Sequence, residues 1–246
     1  MASILSIETA GSCCSVALNH DGEVTELVEQ TPRQHARKIL FMVDEILSDS
    51  GLSLKQLDAL AFTQGPGSFT GLRIGFGIIQ GLAFAMDLPV IGLSTLRVMA
   101  FKLARSRNLH DAKILAAIDA RMNEVYWAVY EATAEVEPVA IVDDCAAAPE
   151  DIMAAINFPL AAAVGDGCAI LAKYFPAITA TDKSSNNWNT VWQDHHFFAD
   201  AKHVSLLAMP AFVRGEVTNI DDAQIAYIRN EISWKKRKKI RSDNSV

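Results

Sequence analysis

The chain has 246 residues, half of them hydrophobic, and a formal net charge of −7. That length holds one large domain or two lobes around a sizeable core. The composition excludes a disordered chain, and the acidic balance excludes a protein that binds nucleic acid over its whole surface. The four cysteines Cys13, Cys14, Cys145 and Cys168 form no CxxC pair and no zinc-ligand spacing, which points to reduced structural thiols and a cytoplasmic address. No basic region or long apolar segment of a signal peptide precedes Ser3-Ile4-Leu5-Ser6-Ile7, and the expectation is a soluble protein with no membrane partner.

Taken in order, residues 3–9 read as a strand. Gly11-Ser12 then turn into a second strand, from Cys13 to Leu18, and a third runs from Val24 to Val28. Pro32 opens a predicted helix to about Ser48, with Ala36, Ile39, Leu40, Val43, Ile46 and Leu47 on one core-facing stripe. At about 100° per residue Phe41 points away from that stripe, among Gln34, Lys38 and Glu45, as an interface anchor or a lone exposed ring. A short buried strand over 57–63 then leads into Gly65-Pro66-Gly67-Ser68-Phe69-Thr70-Gly71-Leu72-Arg73-Ile74-Gly75, a strand-to-helix turn that Ser68 or Thr70 can cap. No Gly-Lys-Ser/Thr follows, so this is not a Walker A loop. Its free N–H groups suit a phosphate, and tight strand–helix packing explains the glycines equally well.

The helix that follows carries one charged side chain, Arg73, between Ser68 and Met86. Apolar residues or glycine occupy nearly every face, so it is expected to be covered on both sides. Gly71, Gly75, Gly77 and Gly81 each weaken a helix by roughly 1 kcal/mol relative to Ala, a cost that close approach of another backbone offsets. Arg73, Gln80 and Pro89 make the run a poor membrane span. The expectation is a buried helix whose outer face meets a partner.

Residues 89–93 read as a strand, and Ser94 caps a helix to about Arg105. The opening pattern then returns at an offset of 111, which places Ile118 on Ile7, Asp119 on Glu8, and Trp127, Ala128 and Val129 on Val16, Ala17 and Leu18. That is the mark of a duplicated lobe. An Ala-rich helix is predicted behind Pro149 within 143–156, a buried strand over 161–164 ending at Gly165, an irregular polar loop over 179–200, and a helix over 203–212. The tail Lys235–Arg241 is strongly basic; such a run is a solvated tail or a contact for RNA phosphates.

Catalytic chemistry is hard to assemble. The six histidines include no His-x-x-x-His pair, and Asp194-His195-His196 with Asp200 and His203 reads as a polar loop rather than a metal site. Glu8 and Asp119 stand where a two-lobed phosphotransferase keeps acids for magnesium, but Glu8 carries one methylene more than the usual Asp. No catalytic or metal-binding residue is assigned.

Ile4–Thr9, Gly65–Gly75, Ile118-Asp119-Ala120-Arg121-Met122-Asn123-Glu124-Val125-Tyr126 and Tyr227-Ile228-Arg229 together resemble the bacterial TsaB (YeaZ) family over nearly the whole chain. The resemblance implies an α/β, two-lobed, duplicated ASKHA fold (actin/hexokinase/Hsp70-like), with lobes over 1–105 and 106–216 and a C-terminal segment over 217–246. It implies a non-catalytic scaffold for making N6-threonylcarbamoyladenosine at adenosine 37 of tRNAs that read ANN codons. The partners are then a TsaD-like paralogue and a TsaE-like ATPase, with tRNA reached through the complex and the tail Lys235–Arg241 as a candidate contact, and a homodimer forms when the protein is alone. ATP and metal are expected in the partners and no cofactor here, with Thr9, Ser12, Gly67 and Ser68 as weak candidates for a nucleotide contact. The first two helices supply the expected interface: His35, Lys38, Phe41, Met42, Glu45, Thr70, Gly71, Ile74, Gly75, Ile78, Ile79 and Leu82. A glycoprotease-type metallopeptidase and an ASKHA small-molecule kinase are the alternatives.

Overall fold

The structure is a computed structural model that describes residues 2–30, 35–134, 137–174, 192–194 and 197–228. The basic run 235–241, His195, His196 and most of the loop 179–200 lie outside the described residues.

Two five-stranded sheets repeat one topology. The first holds β1 (Ser3–Glu8), β2 (Cys14–His20), β3 (Glu23–Glu29), β4 (Ala59–Gly65) and β5 (Val90–Ser94) in the order β3-β2-β1-β4-β5. The second holds β6 (Ala112–Arg121), β7 (Glu124–Ala132), β8 (Val139–Ala147), β9 (Ala162–Val164) and β10 (Trp192–Asp194) in the order β10-β9-β6-β7-β8. In each sheet the first strand runs antiparallel to the second and parallel to the fourth. This is the duplicated two-lobe α/β architecture expected of an ASKHA chain.

The helices make three layers around the sheets. On the outer face of the first sheet lie α1 (His35–Ser50) and α2 (Phe69–Met86), packed on Leu5, Ile7, Val16, Leu60 and Phe62. On the outer face of the second lie α4 (Pro149–Ala155) and α5 (Cys168–Tyr174), over Leu115, Ala117 and Trp127. Between the sheets, α3 (Thr95–Arg107) packs on β6 and β7, while α6 (Ala201–Val213) packs on β1 and β2. The inner helices are therefore exchanged: each follows one lobe's strands in sequence and seats on the other lobe's sheet. Ser94 caps α3 by accepting from the Arg97 N–H (3.2 Å), and Asp200 caps α6 by accepting from the His203 N–H (2.8 Å).

The repeat needs a correction of one residue. Val16 and Trp127 are equivalent, as the offset of 111 states, but Ile7 pairs with Val16 and it is Ala117, not Ile118, that pairs with Trp127. The first strands are thus related by 110. A slip of one residue exchanges the faces of a strand. Ile118 joins the core between the sheets with Ile114 and Ala116, so it takes the place of Glu8, and Asp119 takes the place of Thr9. The helix expected behind Pro149 is α4, and residues 143–147 ahead of it are the end of β8, where pairing with β7 overrides the helix preference of its alanines. Leu40, assigned to the core stripe, is 52% exposed, and the stripe instead runs through Ile39, Met42, Val43, Ile46 and Leu47.

What seats α2 on the sheet is the exit of β1. A Cβ at Gly71 would lie 2.0 Å from the Thr9 carbonyl oxygen, and one at Gly75 would lie 2.3 Å from the Thr9 Oγ1. Thr9 Oγ1 donates to the Gly71 carbonyl oxygen (2.8 Å). Gly77 and Gly81 have open space at their Cβ positions. Gly71→Ala is expected to destabilise the protein by ~1–3 kcal/mol through overpacking, whereas Gly77→Ala gains up to about 1 kcal/mol of helix propensity. Urea titration of both variants measures the contrast, and equal stabilities would refute it.

Candidate functional site

Two surfaces lie within reach of α2: a cleft at its N-terminus and the outer face along its length. The cleft, of about 410 Å³, opens between Ser12, Gly67 and Ser68 of the first lobe and Asp119, Arg121 and Asp166 of the second. Ser68 turns its hydroxyl onto its own helix, accepting from the Gly71 N–H (3.3 Å). Thr9 is buried, and its hydroxyl is donated to Gly71. Of the four weak nucleotide candidates, Ser12, Gly67 and Ser68 thus line the cleft and Thr9 does not. The Asp119 carboxylate accepts from the Arg121 N–H (2.7 Å) and guanidinium (2.9 Å), and Asp166 accepts from the Asp119 N–H (2.9 Å).

Glu8 lies beneath this cleft and outside its lining. It is 1% exposed, and its Oε1 accepts from the Ala10 N–H (2.7 Å) and the Thr63 hydroxyl (3.3 Å). Burial, with the Asp200 carboxylate adding to it, pushes the Glu8 carboxyl up to about 8. Glu8 and Asp119 therefore do not form a pair on a shared surface. Asp200 is held below the usual carboxylate range, at about 2, by His203 and Lys102, whose Nδ1 and Nζ lie 2.6 Å and 2.9 Å from it. Among the described residues no three His, Cys, Asp or Glu side chains come together as metal ligands.

The outer face carries more exposed apolar surface. On α1, Leu40 and Phe41 are 52% and 75% exposed, and on α2 Phe84 is 81% exposed. Thr70, Arg73, Gly77, Gln80, Gly81 and Phe84 form the exposed line of α2, with Ile74, Ile78 and Leu82 half-buried beside it. Four predicted interface residues fall elsewhere. Met42, Gly71, Gly75 and Ile79 are buried in the chain's own first lobe and are not part of the exposed face. Glu45 is exposed, Lys38 is paired with Glu29 (2.5 Å), and the His35 side chain lies outside the described residues. Leu40, Gly77, Gly81 and Phe84 also lie on this exposed face and are not among the residues predicted for the interface. Arg73 and Gln80, the two long polar side chains of α2, mark that line, and extending it by 3.6 residues per turn reaches Gly77 and Phe84.

By length and composition α2 is long and apolar enough to cross a membrane. In this fold Leu72, Ile79 and Ala83 are buried in the first lobe. The C-terminal segment runs alongside: Val90 and Thr218 exchange backbone hydrogen bonds (2.9 Å each), and the Ala226 N–H donates to the Gln64 carbonyl oxygen (2.8 Å).

Comparison with known proteins gives a consistent picture. A model of the TsaD family, tRNA N6-adenosine threonylcarbamoyltransferase, matches residues 27–189. The tRNA threonylcarbamoyladenosine biosynthesis protein TsaB of Haemophilus influenzae is 38% identical over 242 residues, covering 95% of this chain and 96% of that protein. The TsaB of Escherichia coli is 39% identical over 95% of this chain and 97% of its own length. Among solved structures, YeaZ from Pseudomonas aeruginosa superposes with a TM-score of 0.78 at 34% identity, over 92% of this chain and 100% of that one.

The buried Glu8 has a consequence for pH dependence. Its folded-state value of about 8 lies above its ordinary value of 4.5, so the folded state holds a proton that the unfolded state releases. The stability associated with that proton is complete below pH 4.5 and is lost as pH rises through about 8. Glu8→Gln, which keeps an uncharged acceptor at the site, is expected to flatten the fall in stability between these values. Denaturation series at pH 5, 6.5 and 8 test this, and an unchanged slope would refute it.

Proposed function

The chain belongs to the TsaB (YeaZ) family of tRNA threonylcarbamoyladenosine biosynthesis proteins, and on that premise we propose that it is the non-catalytic scaffold of the threonylcarbamoyl transfer step. Its place in this tRNA modification pathway follows from the family. The scaffold reading assigns transfer to a TsaD-like paralogue, docked on the outer face of α1 and α2, with a TsaE-like ATPase completing the assembly. ATP and metal belong to those partners, tRNA is reached through the complex, and the protein works in the cytoplasm. Alone, it pairs with a second copy through the same face.

The observation that carries the reading is the outer face itself. Ile78, Leu82 and Phe84 share α2 with two glycines that have open space at their Cβ positions, Leu40 and Phe41 are exposed on α1, and Arg73 is the one charge on α2. Flat, small-residue helix surface flanked by exposed aromatic rings suits a second pair of helices packed at close range. A further support is kinship. The TsaD model matches this chain, and a tRNA N6-adenosine threonylcarbamoyltransferase from Nitrosospira multiformis is 35% identical over 107 residues. A paralogue of like fold presents like helices, so the two chains meet by a pseudo-symmetric contact of the isologous kind.

Phe84→Glu and Phe41→Glu put a charge where the partner's helices pack. Each is expected to weaken binding to the TsaD-like paralogue by about thirtyfold or more, ~2 kcal/mol for a central aromatic. Stability of the isolated chain stays within about 0.5 kcal/mol, because both rings face solvent. Size-exclusion chromatography with light scattering, on this protein alone and mixed with its paralogue, reads both. A complex indifferent to both changes sinks the interface, and ATP turnover by the chain alone sinks the scaffold reading.

A further inference from the structure

The C-terminal segment that runs alongside α2 gives the outer face a groove on one side. This groove, of about 430 Å³, is lined by Arg73, Phe76 and Gln80 of α2 and by Gln224, Ile225 and Tyr227 of the segment. Phe76 and Ile225 are half-buried and supply apolar contact. The polar side chains Arg73, Gln80, Gln224 and Tyr227 are exposed, and each can donate a hydrogen bond. No carboxylate lines the groove.

Arg73 is held in place by the chain itself. Its guanidinium lies 3.8 Å over the Phe69 ring, and its Nε donates to the Tyr227 hydroxyl (3.3 Å). These contacts use the ring face and Nε, and they leave both Nη groups without an acceptor among the described residues. A planar guanidinium with its two terminal nitrogens free is a fork that matches the two oxygens of a carboxylate. A side chain fixed beforehand also loses less freedom when it binds.

The kind of contact says where the carboxylate comes from. Arg73 and Gln80 belong both to the groove and to the exposed line of α2, so the groove is continuous with the docking face. When related chains meet about a pseudo-twofold axis, each presents a version of the same face to the other. On this chain α1 carries Asp44, Glu45 and Asp49, all exposed and with no ion pair among the described residues. A face of this type offers acids from its first helix and a cation from its second, so two related faces are complementary in charge.

We propose that the groove takes an acidic side chain of the TsaD-like paralogue, its carboxylate held by the Arg73 fork and its methylene stem lying against Phe76 and Ile225. The proposal rests on the reading of the outer face as the docking surface, and it adds the residue chemistry that the partner brings there.

Calorimetric titration of the paralogue into the full chain tests it. Arg73→Gln, which removes the charge and the fork, should weaken binding about tenfold or more. Tyr227→Phe, which removes only the acceptor for Nε, should weaken it less. Circular dichroism melts confirm that the variants fold. Arg73→Lys puts an amine in the groove, and a carbodiimide joins an amine only to a carboxylate in direct contact. Mass spectrometry of the treated complex should then find position 73 linked to an Asp or Glu of the paralogue, a readout that stands even where Arg73→Gln lowers stability. Undiminished binding by Arg73→Gln, no link at position 73, or a link only within or between copies of this chain would each overturn the proposal. Phe84→Glu in the same titration separates two failures. If it breaks the complex and Arg73→Gln does not, the groove is wrong and the docking face stands; if neither does, the face itself is wrong.

Discussion

The seat of α2 against the exit of β1 is the contact on which the rest of the first lobe depends. Thr9 reaches so far into the helix that only glycine fits at positions 71 and 75, and its hydroxyl is spent on the Gly71 carbonyl oxygen. Close approach at the N-terminal half of α2 fixes the rotation of the whole helix. Rotation then decides which side chains face out: with Gly71, Gly75 and Ile79 inward, Arg73, Gly77 and Phe84 have no choice but to face away. The same contact sets Gly67 and Ser68 at the mouth of the cleft, where the Ser68 N–H donates to the Ala10 carbonyl oxygen (2.9 Å). One packing constraint thus shapes both surfaces.

How far these surfaces are legible in the sequence varies with the kind of signal. Phe41 is legible because α1 has an amphipathic pattern, and a large ring outside the stripe stands out by angle alone. Leu40 is not, since it lies at the edge of a stripe whose width the pattern does not define. On α2 the difficulty is greater. Every face is apolar or glycine, so periodicity carries no direction, and Gly71 looks like Gly77 until the position of Thr9 is known. That contact joins residues far apart in the chain, and local spacing cannot encode it. The missed β8 has a related cause: alanine favours helix, and what makes the segment a strand is its ladder with β7.

The duplication was visible in outline and wrong in register. Strands β2 and β7 do match at an offset of 111, and the eye extends that offset to the strands before them. In each lobe, however, the hairpin between the first two strands has its own length, and pairing shows a slip of one residue. The slip matters chemically, because it removes the apparent equivalence of Glu8 and Asp119. One carboxyl lies sealed beneath Thr63 and Ala10 and keeps its proton; the other stands at the cleft with Arg121. Two acids that look like a matched pair in the sequence have entirely different environments.

The exchanged inner helices bear on how the chain comes to exist in a cell. The first sheet has all its strands once Ser94 has been made, yet α6, which packs on β1 and β2, begins at Ala201. During synthesis the inner face of that sheet waits for its helix through roughly 110 further residues, on the order of ten seconds at ribosomal speed. Neither lobe is finished before the other has been translated. The nascent protein therefore carries an open apolar sheet through much of its own manufacture, and a ribosome stalled within the second half releases a fragment that aggregates or is degraded rather than a usable half-molecule.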